Sequence, residues 1–195
     1  MRVSRWYGAA PVLFLAVSCL AWPAKAEQHT IDTAKSVMTV RVYKAGVLSA
    51  FGHDHEIAAR IAGGKVDSAA HTVELHTNAS ALRVRDPKAS EKDRGEVQET
   101  MLGPDVLDAA RYPEIVFRST AAEPMGTGSW KVQGTLTLHG QTHPMTVEVR
   151  ETAGRYVGNS LLKLADFGIK PVRIAGGAVK VKDEVRIEFD IQLAR

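Results

Sequence analysis

The chain has 195 residues, of which 45% are hydrophobic and 24% charged, and this ordinary globular composition excludes a wholly disordered or collagen-like protein. Its formal net charge of +3 comes from the first 26 residues, which hold three basic and no acidic side chains. The rest of the chain carries 22 basic and 22 acidic side chains. A neutral domain lacks the clustered positive charge that nucleic acid binding requires, so we expect no nucleic acid partner.

The first 26 residues have the organisation of a secretory signal peptide. Arg2 and Arg5 give a positive start, residues 9–22 form an uncharged and mostly apolar run, and Ala24-Lys25-Ala26 matches a small-x-small cleavage pattern. The apolar run is shorter than the roughly 20 residues that a membrane-spanning helix needs. We therefore expect a signal peptide of residues 1–26, a mature domain of residues 27–195 without a transmembrane segment, and export to the periplasm.

The only cysteine, Cys19, lies inside this apolar run. Removal of the signal peptide would leave a mature chain with no disulfide, no cysteine metal ligand and no cysteine nucleophile. One alternative stays open. Ala16-Val17-Ser18-Cys19 is an imperfect lipoprotein cleavage box, because leucine normally stands three positions before the cysteine, and lipidation of Cys19 would anchor the protein to a membrane.

Period-two alternation of apolar and polar residues dominates the mature chain and is typical of strands with one buried face. The clearest case is Val185–Leu193, in which every odd position is apolar and every even position polar. Glycine-rich turns separate the alternating segments and predict an antiparallel sandwich or barrel. The other alternating segments are Val37–Val42, Val73–Thr77, Ile115–Phe117, Val132–Leu138, Met145–Val149 and Val157–Leu161.

Only residues 89–108 break this rhythm. Ser90 is a good helix N-cap residue, and Val97 and Met101 follow at the i, i+4 spacing of one helix face. Gly103-Pro104 would end the helix. These residues predict one short helix in an otherwise all-β domain.

Four segments resemble, in chain order, elements of one known family. Ile31-Asp32 with Ser36-Val37 is similar to its opening strand, and Tyr112–Thr120 to its Y-P-x-I-x-F-x-S-T element. Gly134–Met145 is similar to its G-x-L-T-x-H-G-x-T-x-P hairpin, and Asp166–Ile169 to a late D-F-G-I turn. The chain thus resembles the YceI-like family of exported bacterial proteins over essentially the whole mature domain.

The resemblance implies an eight-stranded antiparallel, lipocalin-like barrel with a short helix near one end. It also implies that the barrel holds a polyisoprenoid chain, such as the tail of an isoprenoid quinone. Apolar positions of the alternating strands are the predicted lipid-binding residues, and Phe51, Met101 and Leu102 are predicted to close the mouth. The predicted lining is Val40, Val42, Ile57, Leu75, Phe117, Leu136, Val147, Leu161, Ile187 and Phe189.

Two other functions compete with lipid binding. His53 and His55 would share one face of a strand, and His139 and His143 flank a turn, so a Zn or Cu site built from these four histidines is the first alternative. We expect no metal and no cofactor, because the H-x-H pattern is weak and the four residues are split over two hairpins. The second alternative is a stress-related interaction module without a ligand.

We expect no catalysis. The chain has no G-x-S-x-G element, no phosphate-binding loop and no dinucleotide fingerprint. The D-F-G at Asp166–Gly168 lacks the other elements of a kinase. The expected partner is an isoprenoid lipid or quinone, and a homodimer is a further expectation.

The cleavage pattern generates the first testable prediction. The exported protein should begin at Glu27, because a signal peptidase would cut after Ala26. Intact-mass measurement of the exported protein checks this. A diacylglycerol-modified chain beginning at Cys19 would contradict it and would place the protein on a membrane.

Overall fold

A computed structural model describes residues 28–45, 54–174 and 179–194 of the chain. They form twelve β-strands, one α-helix and two short 3-10 helices, Ala79–Ala81 and Leu164–Phe167. The helix, α1, spans Glu91–Leu102. The strands are β1 Gln28–Thr30, β2 Val37–Ala45, β3 His55–Ala58, β4 Ile61–Asp67, β5 Thr72–Asn78, β6 Arg83–Val84, β7 Glu114–Gly126, β8 Ser129–Leu138, β9 Gln141–Thr152, β10 Arg155–Lys163, β11 Arg173–Ile174 and β12 Val179–Gln192.

All strand pairs in this part of the chain are antiparallel and belong to one sheet, in the order β1-β4-β5-β7-β8-β9-β10-β12-β2-β3-β6, with β11 paired to β12. The predicted all-β antiparallel class with one short helix is therefore confirmed. The predicted count of eight strands is wrong. None of the predicted alternating segments covers β3 or β4, and β1, β6 and β11 are only two or three residues long, too short to show alternation.

The sheet curls into a barrel-like shape because β3 and β4 are consecutive in the chain but pair at opposite ends of the strand order. Strand β3 pairs with β2, whereas β4 pairs with β5. Ile31 forms a further antiparallel bridge with Leu193, and the Ala194 N–H donates to the Thr30 carbonyl at 2.8 Å. These links bring β1 to the end of β12. One face of each strand thus points into a common interior.

Helix α1 lies against the edge strand β6. Its N-cap is Ser90, whose Oγ accepts a hydrogen bond from the Asp93 N–H at 3.1 Å, and it ends before Gly103, so the predicted helix is confirmed. Gln98 supplies hydrogen-bond partners to backbone groups at the edge of β6. Its Oε1 accepts from the Val84 N–H, and its Nε2 donates to the Leu82 carbonyl. Within residues 28–45, 54–174 and 179–194, no helix is long and apolar enough to cross a membrane.

The larger of two clusters of buried hydrophobic residues lies at the helix end of the sheet. Phe167, Ile169 and Val185 are each 1% exposed, and Met101 is the buried residue of α1. Phe167 and Ile169 belong to the D-F-G-I turn, where Gly168 takes the left-handed conformation that follows the 3-10 helix. The turn thus inserts a phenyl ring beneath the strands at this end.

Two glycines leave room for the phenyl rings of neighbouring strands. A Cβ at Gly134 would lie 2.6 Å from the Phe117 ring, and one at Gly158 would lie 2.6 Å from the Phe189 ring. Both rings therefore lie over glycine backbone, and each ring occupies the space that a side chain on the glycine would fill. The glycines let large side chains lie flat against the wall.

Alanine at Gly134 should therefore destabilise the fold. The added methyl would collide with the Phe117 ring and with the carbonyl oxygen of Arg118, and we expect a loss of about 1–3 kcal/mol in the free energy of unfolding. Gly63→Ala is the matched control, because a Cβ at Gly63 meets nothing within 4 Å. Urea unfolding followed by circular dichroism compares the two. Equal stability of both variants would contradict this packing.

Candidate functional site

The inner face of the sheet surrounds a cavity of about 890 Å³. Small-molecule sites usually measure about 300–1,000 Å³, so this volume suits a ligand rather than a packing defect. A plain filled core would not leave such a space, because protein interiors are close-packed. The cavity is the candidate functional site.

Aliphatic side chains from facing strands form the middle of the cavity wall. Val40 of β2 lies opposite Ile187 of β12, and Val42 lies opposite both Val185 and the start of β3. Ten of the predicted lining residues contribute to this wall: Val40, Val42, Ile57, Leu75, Met101, Phe117, Leu136, Val147, Ile187 and Phe189. The structure brings these ten together around one space, and their contact with a lipid stays a prediction.

The predicted inward orientation of Leu161 is wrong. Its side chain is 58% exposed, whereas the next residue, Leu162, is 9% exposed and lines the cavity. Tyr156 and Ser160 line the cavity from the same face of β10. The hydropathy pattern favoured the wrong face because two of the inward positions carry glycine and serine while Val157 and Leu161 point outward.

One other predicted residue does not line the cavity, and another cannot be placed. Leu102, at the end of α1, packs against the core cluster instead. Phe51 lies outside the described residues. The structure adds lining residues that strand alternation could have supplied, since most continue rows already predicted: Met38, Val66, Val73, Ile115, Val132, Leu138, Met145, Val149, Leu162 and Ile191.

The two ends of the cavity differ in charge. At the helix end, the described lining residues include four basic side chains and two acidic ones; at the far end they include two acidic side chains and no lysine or arginine. Arg173 and Lys180 lie directly opposite each other on paired strands, where like charges are unfavourable unless something compensates them. The charged lining residues are Lys44, Lys170, Arg173, Lys180, Asp93 and Glu96 at the helix end, and Asp67 and Glu151 at the far end.

Aromatic and phenolic groups mark the far end. The Trp130 ring lies 4.6 Å from the His71 ring, centroid to centroid, and both residues line the cavity. Burial, with a smaller contribution from Glu151, raises the pKa of the Tyr156 hydroxyl. This phenol therefore stays protonated at neutral pH and can donate a hydrogen bond.

The described histidines of the proposed metal site have other partners. His139 Nδ1 lies 3.0 Å from the Phe167 carbonyl, as expected for a histidine that satisfies backbone near a turn, and His143 Nε2 lies 3.3 Å from Gln141 Oε1. His53 lies outside the described residues. Within the described ranges, no group of three or more histidine, cysteine or acidic residues is arranged to hold a metal ion.

His55 has a buried partner and does not face solvent. Its side chain is 17% exposed and lines the cavity, and its Nδ1 lies 2.6 Å from Asp86 Oδ2. This pair joins residues 31 positions apart in the chain. Local sequence patterns gave no signal for this contact, because they do not show which distant segments pair in the fold.

Comparison with known proteins gives a consistent result. The model of the YceI-like domain family matches residues 29–193. A UPF0312 protein of Vibrio cholerae is 27% identical over 186 residues, covering 89% of this chain and 92% of the relative. A UPF0312 protein of Pseudomonas savastanoi is 36% identical over 123 residues, covering 58% of this chain and 56% of the relative.

Solved structures show the same fold. Burkholderia cenocepacia BcnA superposes with a TM-score of 0.62 at 22% identity, covering 85% of this chain and 99% of BcnA. The Campylobacter jejuni YCEI protein superposes with a TM-score of 0.51 at 15% identity, covering 71% of this chain and 81% of that protein. At these identities the likeness concerns the fold alone.

Neighbouring leucines on β10 test which face of this strand looks inward. Leu162→Ala should lower the free energy of unfolding by about 2 kcal/mol or more, because it removes a buried side chain from the wall. Leu161→Ala should change it by less than about 0.5 kcal/mol, as is usual for an exposed site. Chemical unfolding of both variants checks the difference. The reverse order of stabilities would contradict the orientation of β10.

Proposed function

Since the chain belongs to the YceI-like family, we propose that it is an exported binding protein that holds an isoprenoid lipid in its cavity. The bound group would be a polyprenyl chain or the tail of an isoprenoid quinone. The observation that carries this proposal is the cavity of about 890 Å³ with an aliphatic middle and charged ends. Binding, without catalysis, is the activity we assign to it.

The middle of the cavity suits a long uncharged tail. Transfer of each buried CH₂ group from water is worth about 0.8 kcal/mol, so a few isoprene units gain several kcal/mol. Part of this gain is offset by the ordering of the tail and of the side chains around it. No charged anchor is needed along the tail, which agrees with a wall built from residues such as Val40, Leu136 and Ile187.

The charged residues favour one orientation of the ligand. A polar head group is more stable beside Lys44, Lys170 and the Arg173–Lys180 pair than among the aliphatic side chains, because these residues offer hydrogen-bond donors. We therefore place the head group at the helix end and the tail toward Trp130 and Tyr156.

Export is part of the proposal. Residues 1–26 carry the signal peptide pattern, and they lie outside the described residues. A protein that binds lipid in the periplasm needs a cavity that shields the tail from water. The barrel-like sheet around this cavity would provide that shield.

A bulky residue in the cavity wall should harm binding more than folding. Val40→Trp adds volume in the space assigned to the tail, and we expect the lipid-free protein to lose less than about 1 kcal/mol, whereas overpacking of a filled core costs about 1–3 kcal/mol. Its affinity for an isoprenoid probe such as geranylgeraniol should fall at least tenfold. Circular dichroism is the preferred unfolding probe, because Trp130 lines the same cavity.

Leu161→Trp is the matched control for this experiment, because the same bulk is added on the exposed face of the sheet. It should leave both stability and binding near those of the parent protein. Strong destabilisation of lipid-free Val40→Trp, together with no probe binding by the parent, would contradict the proposed function.

A further inference from the structure

The cavity wall contains a histidine whose ring is hydrogen-bonded to a buried carboxylate. His55 stands at the start of β3, opposite Val42, and its Nδ1 lies 2.6 Å from Asp86 Oδ2. The Asp86 side chain is 3% exposed. His55 lines the cavity, whereas Asp86 lies behind it. The pair therefore places a polar ring in the wall beside the aliphatic side chains of Val42 and Ile57.

Backbone hydrogen bonds hold Asp86 in place. Its Oδ1 accepts from the Glu56 N–H at 2.6 Å, and the Arg85 N–H donates to the Glu56 carbonyl at 2.7 Å. These bonds already tie the segment after β6 to β3 without any contribution from the imidazole. A structural tether therefore does not require a histidine at position 55.

The carboxylate decides which nitrogen of His55 carries the proton. An ionised carboxylate only accepts hydrogen bonds, so the Nδ1–H of His55 is the donor to Asp86. In the neutral ring, Nε2 is then an acceptor. The two ring nitrogens point in widely different directions, so Nε2 is turned away from Asp86, and it forms no hydrogen bond with any described residue.

From this geometry we propose that His55 is a specificity-determining residue whose Nε2 accepts a hydrogen bond from a hydroxyl group on the head of the bound isoprenoid. Asp86 is the positioning residue that fixes the tautomer. The inference rests on the proposed function and refines it, because it selects isoprenoids that carry a hydroxyl donor, such as a polyprenyl alcohol or a reduced quinone. Lys44, two residues beyond Val42 on the same strand, lines the cavity near this position.

Two probes with the same chain test the proposal. Geranylgeraniol donates a hydrogen bond, whereas its methyl ether cannot. We expect the wild-type protein to bind the alcohol about five- to tenfold more tightly than the ether at about pH 8, which is the usual contribution of one hydrogen bond. In His55→Leu the two affinities should become equal.

The variant Asp86→Asn distinguishes a role of Asp86 in fixing the His55 tautomer from a purely structural role. The asparagine oxygen can still accept from the Glu56 N–H, while its NH₂ group donates to His55 Nδ1 and reverses the tautomer. Nε2 then becomes a donor, and the preference for the alcohol should disappear although the imidazole is still present. A merely structural role for Asp86 would lower both affinities together and leave their ratio unchanged.

Control variants keep the result interpretable. His76→Leu replaces a histidine that does not line the cavity, and it should retain the wild-type ratio. Should His55→Leu fail to fold because it leaves the buried Asp86 charge unpaired, the double variant with His55→Leu and Asp86→Leu removes that charge as well. Reduced and oxidised decylubiquinone then distinguish a reduced quinone from a polyprenyl alcohol as the source of the hydroxyl. If the site recognises a ring hydroxyl, the reduced form should bind more tightly than the oxidised form.

Each outcome bears on one proposal. Equal wild-type affinities for alcohol and ether, or an alcohol preference that survives loss of His55, would overturn the assignment of His55 and leave lipid binding intact. An alcohol preference that persists in Asp86→Asn would overturn only the positioning role of Asp86. Failure of the wild-type protein to bind either probe would overturn the proposed function itself.

Discussion

The structure depends on the two-residue period of its antiparallel strands. In β12, Val185, Ile187 and Phe189 face the cavity, whereas Arg186 and Glu188 face outward. The outer row is tied across strands by Arg41, whose guanidinium contacts Glu188 at 2.8 Å and Glu56 at 2.9 Å. A slip of one residue would exchange the two faces, so the register that forms these ion pairs also builds the aliphatic wall.

The distribution of large side chains explains why the interior is open in the middle and dense at one end. The phenyl rings of Phe117 and Phe189 lie over glycine backbone at the wall. Phe167 and Ile169 instead fill the helix end, where both are 1% exposed. A barrel with few large inward residues keeps space for a ligand.

Sequence reasoning reached the features that depend on local pattern. The strict alternation of Val185–Leu193 and the Ser90 cap with its Gly103 stop predicted a strand and a short helix, and the structure contains both as β12 and α1. Reasoning failed at β10, because glycine and serine at inward positions carry no hydropathy signal. It also gave eight strands, since β3 and β4 were not recognised as alternating segments and β1, β6 and β11 are too short to alternate.

The pairing of His55 with Asp86 lies beyond any local pattern. It joins the start of β3 to the residue after Arg85 through the fold of the sheet, and the H-x-H spacing pointed instead to a metal site. Burial of a carboxylate behind an aliphatic wall carries a free-energy cost unless its oxygens are hydrogen-bonded, and here both are. A polar pair kept at such a position is more informative about ligand chemistry than the apolar residues that surround it.

The central claim, that this cavity holds an isoprenoid in the cell, is tested most directly by the lipid that accompanies the native protein. The protein would be purified without detergent from its own host, extracted with organic solvent and analysed by mass spectrometry, with a heat-denatured sample as the control for nonspecific lipid. The account predicts a polyprenyl or quinone species at close to one molecule per chain. An extract that holds no isoprenoid above the control would contradict it.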